Sequence, residues 1–498
     1  MNNTKTEKKR SFPKQNFQGV KALIMGLGLN GGGLESALYL GLRGAQLCVT
    51  DLQDEKKLAP SIEKLEAGLS GKACGIRYVL GRHEISDFEN ADLVIKNPGV
   101  KPDSQYLKVC RCIETDISLF LTASPAQLTA VTGTKGKSST ASCLHWVLKN
   151  WHDRSANSNR AYLGGNITVS PLSFADVLEA GDDVVLELSS WQLGDLKGRI
   201  NKEKNEALLK PRAAVITSIM PDHLDRYGTM DAYIADKRII YQGQDKNDST
   251  IAENDSWGQS FFGESRGRPL AYSAAPMMQD ICGGWIDESV NCGFVRLWEG
   301  CCDYKKNNEV FEIVPCELKV PGVHQKKNCL AAALALLDLG LPLDFIRESV
   351  RNYPGIEHRL EFFHESGGIR FYNDSAATIP EAAAAAIRAF ENKPILICGG
   401  TDKNLDFSPL AEAASGAKAL ILLEGSGSSK LARMLKESNI AYDGPFDSLD
   451  AACLAALEKA APKDNLILSP GCASFGVLFD NEFDRGNKWK EAVRRIAP

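Results

Sequence analysis

Short apolar runs alternate with helical patterns along almost the whole chain. Residues 20–25, 46–50, 93–96, 128–132, 184–188, 213–217, 395–398, 419–423 and 466–469 each read as a buried strand. Between them lie amphipathic stretches such as 137–150. There Leu144, Val147, Leu148 and Trp151 recur at i, i+3, i+4 and i+7, one face of a helix. Strand–helix alternation calls for parallel sheets, because a parallel pair needs a crossover that a helix supplies. The expected class is therefore α/β. One stretch, 244–315, is rich in Gly, Asn, Asp and Ser. It breaks the alternation and reads as loops and short strands.

A chain of 498 residues suggests about three domains. One boundary is expected near 120, where Thr122-Ala-Ser-Pro-Ala126 precedes a new strand. The other falls at Asn352-Tyr-Pro-Gly355, a turn signal after a helix. The division is then a disordered leader 1–18 and domains 19–120, 121–353 and 354–498. The leader carries Lys5, Lys8, Lys9, Arg10 and Lys14 but no apolar segment of signal-peptide type.

Composition narrows the class further. Apolar residues make up 44% and charged residues 24%, which excludes a wholly disordered or collagenous chain. The 58 basic and 63 acidic residues leave a net charge of −5, which speaks against a general nucleic-acid binder. No run of 18 apolar residues occurs, so no membrane partner is expected. The 14 cysteines include no CxxC pair. They read as reduced core and surface residues of a cytoplasmic protein.

Two glycine loops carry the first chemistry. Gly26-Leu-Gly28-Leu-Asn-Gly31 lies between a strand and a helix, and Asp51 ends the next strand. That pattern marks either a nucleotide-phosphate cradle with an acid for a ribose or base, or merely a tight strand-to-helix turn. The second loop is Thr132-Gly133-Thr134-Lys135-Gly136-Lys137-Ser138-Ser139. Val131 stands where a strict Walker A sequence would have glycine, so the loop is tighter. Its backbone N–H groups can still nest an anion, with Lys137 for the β/γ-phosphates and the Ser138 hydroxyl for Mg²⁺. Glu187, at a strand end, is a candidate second Mg²⁺ ligand. Asp222-His223-Leu-Asp225 follows another strand and suggests metal or phosphate contact.

These motifs occur in a set order. Residues 133–138, Glu187-Leu-Ser-Ser, Asp222-His223, Pro321-Gly-Val-His324 with Asn328, His358-Arg359, Asn373-Asp374-Ser375-Ala376-Ala377-Thr378 and Ser469-Pro through Ser474 resemble the Mur ligases, over about residues 19–490. The resemblance implies three α/β domains: a dinucleotide-type parallel sheet, a central P-loop ATPase sheet, and a C-terminal dinucleotide-type sheet. It implies an ATP-dependent amide ligase of peptidoglycan precursor synthesis, and so of cell-wall biogenesis, cell shape and division. The Gly26 loop with Lys96-Asn-Pro-Gly99-Val100 resembles the glutamate-adding branch. That branch joins D-glutamate to UDP-N-acetylmuramoyl-L-alanine through an acyl phosphate, as a cytoplasmic monomer.

The resemblance also assigns roles. Leu29, Asn30, Asp51, Gly99, Asn166 and His223 would hold the UDP-sugar. Gly133, Thr134, Lys135, Gly136, Lys137, Ser138, Ser139, Asn328, Arg359 and Asp374 would bind ATP. Ser138, Glu187, His223 and Lys237, the last as a carbamate, would hold two Mg²⁺ ions. Lys137, Glu187, His223 and Lys237 would form the catalytic set. Thr378, Lys403, Ser474 and Phe483 would meet the amino acid. Many members carry Lys in the Asn-Asp-Ser-Lys-Ala-Thr stretch, where this chain has Ala376. L-glutamate or another amino acid therefore stays open beside D-glutamate. From other classes, an NAD-dependent oxidoreductase would use only the first glycine loop and a P-loop switch protein only the second.

Overall fold

The strand Lys21–Met25 shows why the first sheet is buried on both faces. Ala22 and Ile24 pack with Leu34, Ala37, Leu40 and Leu65, while Leu23 and Met25 pack with Phe88, Val94 and Leu107. Alternate side chains thus meet a different core, as a covered parallel strand requires. Its neighbours run in the order Ile76–Leu80, Gln46–Asp51, Lys21–Met25, Leu93–Lys96, Ile113–Glu114, all parallel.

This computed structural model describes residues 16–29, 31–71, 75–155, 158–167, 169–277, 282–296, 309–474 and 479–498. Most of the expected leader, and Asn30, lie outside the described residues. The chain forms two compact units. One comprises residues 1–286, 294–313 and 330–346, and the other 287–293, 314–329 and 347–498. Among the described residues no helix is long and apolar enough to cross a membrane.

The first unit holds a second parallel sheet. Its strands run Ala161–Gly165, Asp183–Glu187, Gln127–Thr132, Ala213–Ile216, Ser249–Glu253, Arg268–Ser273, Gly283–Asp287, Cys292–Arg296, Val310–Val314, the first seven parallel to one another. Every run read as a strand is one, shifted by at most one residue. The reading of 244–315 as loops and short strands holds for Gly283–Asp287, Cys292–Arg296 and Val310–Val314 but needs correction before them. Ser249–Glu253, the helix Ser256–Glu264 and Arg268–Ser273 continue the alternation. Their polar groups hid this by being buried and paired. The Thr250 hydroxyl donates to Gln244 Oε1 at 2.6 Å, and Gln244 Nε2 donates to the Ser249 carbonyl at 2.8 Å.

Asp338 ties two of these strands together at their starts. Its side chain is 1% exposed and accepts from Arg212 at 2.9 Å and Arg268 at 2.5 Å. Replacing it with Asn leaves two guanidinium groups short of a counter-charge. With the two arginines partly exposed, losing the charge costs about 1–2 kcal/mol. Asp338→Asn should lower the urea midpoint accordingly with an unchanged m-value. A midpoint within error of wild type would show that the ion pairs contribute nothing.

In the second unit the strands run Glu361–Ser366, Ile369–Asn373, Asn465–Leu468, Ile395–Cys398, Ala419–Leu423, Asp443–Phe446. The first pair is an antiparallel hairpin turning on Gly367 and Gly368, both at positive φ, where glycine is the residue that fits. The next four strands are parallel to one another. A disulfide joins Cys292 to Cys316 in this unit. This corrects the expectation that all cysteines are reduced. The fold brings together residues 24 apart in sequence, a spacing that belongs to no recognised motif.

Candidate functional site

Gly133 follows the strand Gln127–Thr132 with φ at 141°, and a Cβ there would lie 1.9 Å from Thr217 Oγ1. Only glycine fits so close to the neighbouring strand end. That strand end grips the loop at several points. Thr217 Oγ1 donates to the Lys135 carbonyl at 2.6 Å, and Thr134 N donates to the Ser218 carbonyl at 2.8 Å. Thr134 Oγ1 lies 3.1 Å from both the Met220 carbonyl and Tyr233 Oη. Gly136, at φ 89°, opens the helix Lys137–Arg154 without a side-chain cap. The N–H groups of its first turn lie ahead of the intrahelical ladder, whose first bond is Thr140 N to the Gly136 carbonyl at 2.9 Å. They form the anion-attracting end of its dipole.

Two lysines converge on this loop. Lys137 Nζ donates to the carbonyls of Gly133 at 3.1 Å and Thr134 at 3.0 Å. Lys237 Nζ, buried at the end of the helix Met230–Lys237, donates to the same Gly133 carbonyl at 2.8 Å. It also lies 4.5 Å from the centre of the Tyr233 ring. Burial, aided by the Lys137 charge and opposed by Asp222 and Asp236, pushes Lys237 down to about 7. Burial also lowers Lys137, against the pull of Glu187 and Asp222.

Glu187 ends the strand Asp183–Glu187 and is 1% exposed. Its Oε1 accepts from Asn166 Nδ2 at 2.9 Å, while Oε2 is buried with no hydrogen-bond partner among the described residues. An orphaned carboxylate oxygen is costly unless a cation meets it. Carboxylate and hydroxyl oxygens suit a hard divalent ion, so the Glu187 carboxylate with the Ser138 hydroxyl fits Mg²⁺. His223 has φ 52° and leads into the short helix Leu224–Tyr227. Its ring rests on Trp191, 5.1 Å between centres, and Nε2 lies 3.8 Å from Asp222.

At the first sheet the glycine loop is latched by Asp51. One carboxylate oxygen accepts from Gly28 N at 3.1 Å and the other from Gln53 N at 2.9 Å. Leu29 is exposed beside this loop. Gly99 lies in the turn after Lys96, its N–H donating to Asn97 Oδ1 at 3.0 Å.

In the second unit the polar groups gather around Asp374. Ser469 Oγ donates to its Oδ2 at 2.6 Å and Leu360 N to its Oδ1 at 3.1 Å. Burial pushes this carboxyl up to about 7, against those bonds and the charges of Arg359 and Arg485. Next to it, His358 Nδ1 lies 3.0 Å from both Ser375 Oγ and Asn373 Nδ2. Arg485 is fully buried and donates to the carbonyls of Ser375 and Cys472. The Ser474 hydroxyl is buried without a hydrogen-bond partner among the described residues. The exposed Phe483 ring lies 5.2 Å from that of His358. Thr378 is half-buried ahead of the helix Pro380–Arg388, and Lys403 is exposed in the turn after Gly399 and Gly400. Asn328 donates to Gln325 at 3.3 Å.

The described contacts thus bring Gly133, Thr134, Lys135, Lys137 and Lys237 together in the first unit, with Asn166 on Glu187. In the second they link Asp374, Ser469, His358, Ser375 and Arg485. Sequence reasoning gave Thr217, Tyr233 and Arg485 no role in these clusters. Thr217 sat in plain view as the polar end of a strand. Nothing local marks Tyr233, and a buried arginine cannot be told from an exposed one by pattern.

Residues 131–336 match the Mur ligase middle domain and 358–472 the Mur ligase glutamate ligase domain. UDP-N-acetylmuramoylalanine–D-glutamate ligase of Treponema pallidum is 38% identical, with 96% of this chain and 98% of that protein covered. The same-named ligase of Roseiflexus sp. is 39% identical with the same coverage. Among solved structures, UDP-N-acetylmuramate-alanine ligase of Thermotoga maritima is 19% identical and superposes with a TM-score of 0.53, covering 95% of this chain and 99% of that one. It supports the fold. With near-complete coverage by relatives at this identity, the chain belongs to the Mur ligases, a family of enzymes that form C–N bonds.

Proposed function

We propose that this protein joins D-glutamate to UDP-N-acetylmuramoyl-L-alanine with consumption of ATP, in peptidoglycan precursor synthesis. The observation that carries the reading is the glycine loop with two lysines on one carbonyl and Glu187 left with an oxygen unpartnered among the described residues. That is a site built for polyphosphate and a divalent ion. The named relatives supply the donor and the amino acid. The same reading has the enzyme act as a cytoplasmic monomer, with three domains meeting near 120 and 353.

The roles follow from residue chemistry. A carboxylate is a poor acyl donor. Taking the γ-phosphoryl group of ATP turns the alanine carboxylate into an acyl phosphate and releases ADP. The glutamate amine then attacks that carbonyl, the amide forms, and phosphate and a proton leave. Phosphoryl transfer asks a protein for positioning and positive charge. Residues 133–139 cradle the phosphates, and Lys137 exchanges the Gly133 and Thr134 carbonyls for phosphate oxygens. Ser138, Glu187, His223 and carbamylated Lys237 would hold Mg²⁺, which supplies charge neutralisation at the phosphate oxygens. Leu29, Asn30, Asp51, Gly99 and Asn166 hold the UDP-sugar. Asn328, Arg359 and Asp374 complete the nucleotide site. Thr378, Lys403, Ser474 and Phe483 receive the amino acid.

Ala376 removes one cation that many members place near the last set. Lys403 is then the point charge for an acidic substrate, with the Ser474 hydroxyl as a donor. Side-by-side assay of D-Glu, L-Glu, D-Asp and L-Ala on UDP-N-acetylmuramoyl-L-alanine should show a preference for D-Glu. Lys403→Ala should raise KM for glutamate, lower turnover, or both, by roughly 10-fold. A clear preference for L-Glu or a non-acidic amino acid overturns the substrate assignment.

A further inference from the structure

Three cations meet between the two sheets of the first unit. Lys96 is buried and neutralised by Asp195 at 2.6 Å. Arg199 pairs with Glu114 at 2.5 Å and donates to the Ile113 carbonyl. Arg226 differs. Among the described residues it forms no ion pair, although Asp195 and Asp236 are near enough to feel its charge. Its guanidinium carbon lies 4.2 Å from the centre of the Trp191 ring, so one face of the fork is held flat by stacking. The same indole rests on the His223 ring. At its tip, Nη1 comes within 3.5 Å of the Gly99 carbonyl.

We infer that Arg226 is a further substrate-binding residue, holding an oxyanion of the sugar-nucleotide donor between the Gly99 turn and His223. The inference rests on the ligase reading above, which gives Gly99 and His223 to that donor. It adds a residue that neither the sequence motifs nor that reading assigned. Charge accounting favours it over a structural role, since the other two cations already have counter-ions. A half-buried, flattened guanidinium with one long contact keeps most of its five donors available. Its planar fork matches two oxygens of a phosphate or a carboxylate. The donor offers both, as its diphosphate and as its alanine carboxylate.

Calorimetric binding of UDP and of UDP-N-acetylmuramoyl-L-alanine to wild-type, Arg226→Gln and Arg226→Lys protein tests this. Gln removes the charge and keeps a donor for the Gly99 carbonyl. Lys keeps the charge and loses the fork. Arg226→Gln should weaken the complete donor by about 10- to 100-fold, with Arg226→Lys in between and ATP affinity and melting temperature unchanged. A parallel loss for UDP assigns the diphosphate as the bound group. Retained UDP affinity beside weakened donor binding assigns the carboxylate. Wild-type donor affinity in Arg226→Gln overturns the inference. So does a loss matched by lower ATP affinity and lower melting temperature, which would make Arg226 a packing residue. If the wild-type protein binds neither compound, the ligase reading itself fails, a result distinct from an unaffected Arg226→Gln.

Discussion

Lys137→Ala should abolish ligation while the protein still binds its sugar nucleotide. Lys137 holds two carbonyls of its own loop, at 3.1 and 3.0 Å, so its ammonium already sits over the cradle that would receive phosphate. Burial and the Lys135 charge nearby make that ammonium expensive to keep, which is the mark of a group retained for its charge. Losing one preorganised contact to charge developing in the transition state costs on the order of 10²–10³ in rate. ADP release under saturating substrates gives the rate, and calorimetry with UDP-N-acetylmuramoyl-L-alanine checks the donor site. Near-normal turnover in folded Lys137→Ala protein would remove this lysine from the reaction.

The second large effect is expected at Lys237. A lysine pushed down to about 7 is in large part a neutral amine at physiological pH, and a neutral amine adds to CO₂. The product is a carbamate anion, formed with loss of one proton. Beside Lys137 a second ammonium repels any metal ion brought to the site, whereas a carbamate offers oxygens to it. Lys237→Ala should therefore be nearly inactive, and short carboxylic acids added to it should restore part of the rate. Intact-mass measurement of gently handled wild-type protein should show one added CO₂. Active enzyme with Mg²⁺ bound and a bare ammonium at 237 would rule the modification out.

The glycine loops and the strands that feed them were readable because their signals are local. Gly133 and Gly136 sit between an apolar run and an amphipathic one, and both adopt the positive φ their identity suggests. Runs such as 395–398 and 419–423 are strand-length apolar stretches closed by Gly399 and Gly425, and both are strands. What stayed hidden depends on distant partners. Ser249 and Thr250 look like loop residues until Gln244 turns back to satisfy them. Asp338 reads as an ordinary helix-end acid, although two arginines from other elements converge on it. Cys292 and Cys316 are unremarkable apart. Glu187 was nominated from its place at a strand end and from the family motif it opens, and only the fold shows that, among the described residues, one of its oxygens lacks a partner.

The Asp51 latch bears on how such domains are re-engineered. In dinucleotide folds the acid after the second strand is the usual lever for changing nucleotide preference, because it reads the ribose hydroxyls. Here both of its oxygens already hold backbone N–H groups, one of them from the glycine loop itself. Exchanging Asp51 to retune selectivity would therefore unfasten the loop before it altered any choice of ligand. Redesign of nucleotide recognition in this chain is better begun at Leu29, whose side chain is exposed and carries no such duty.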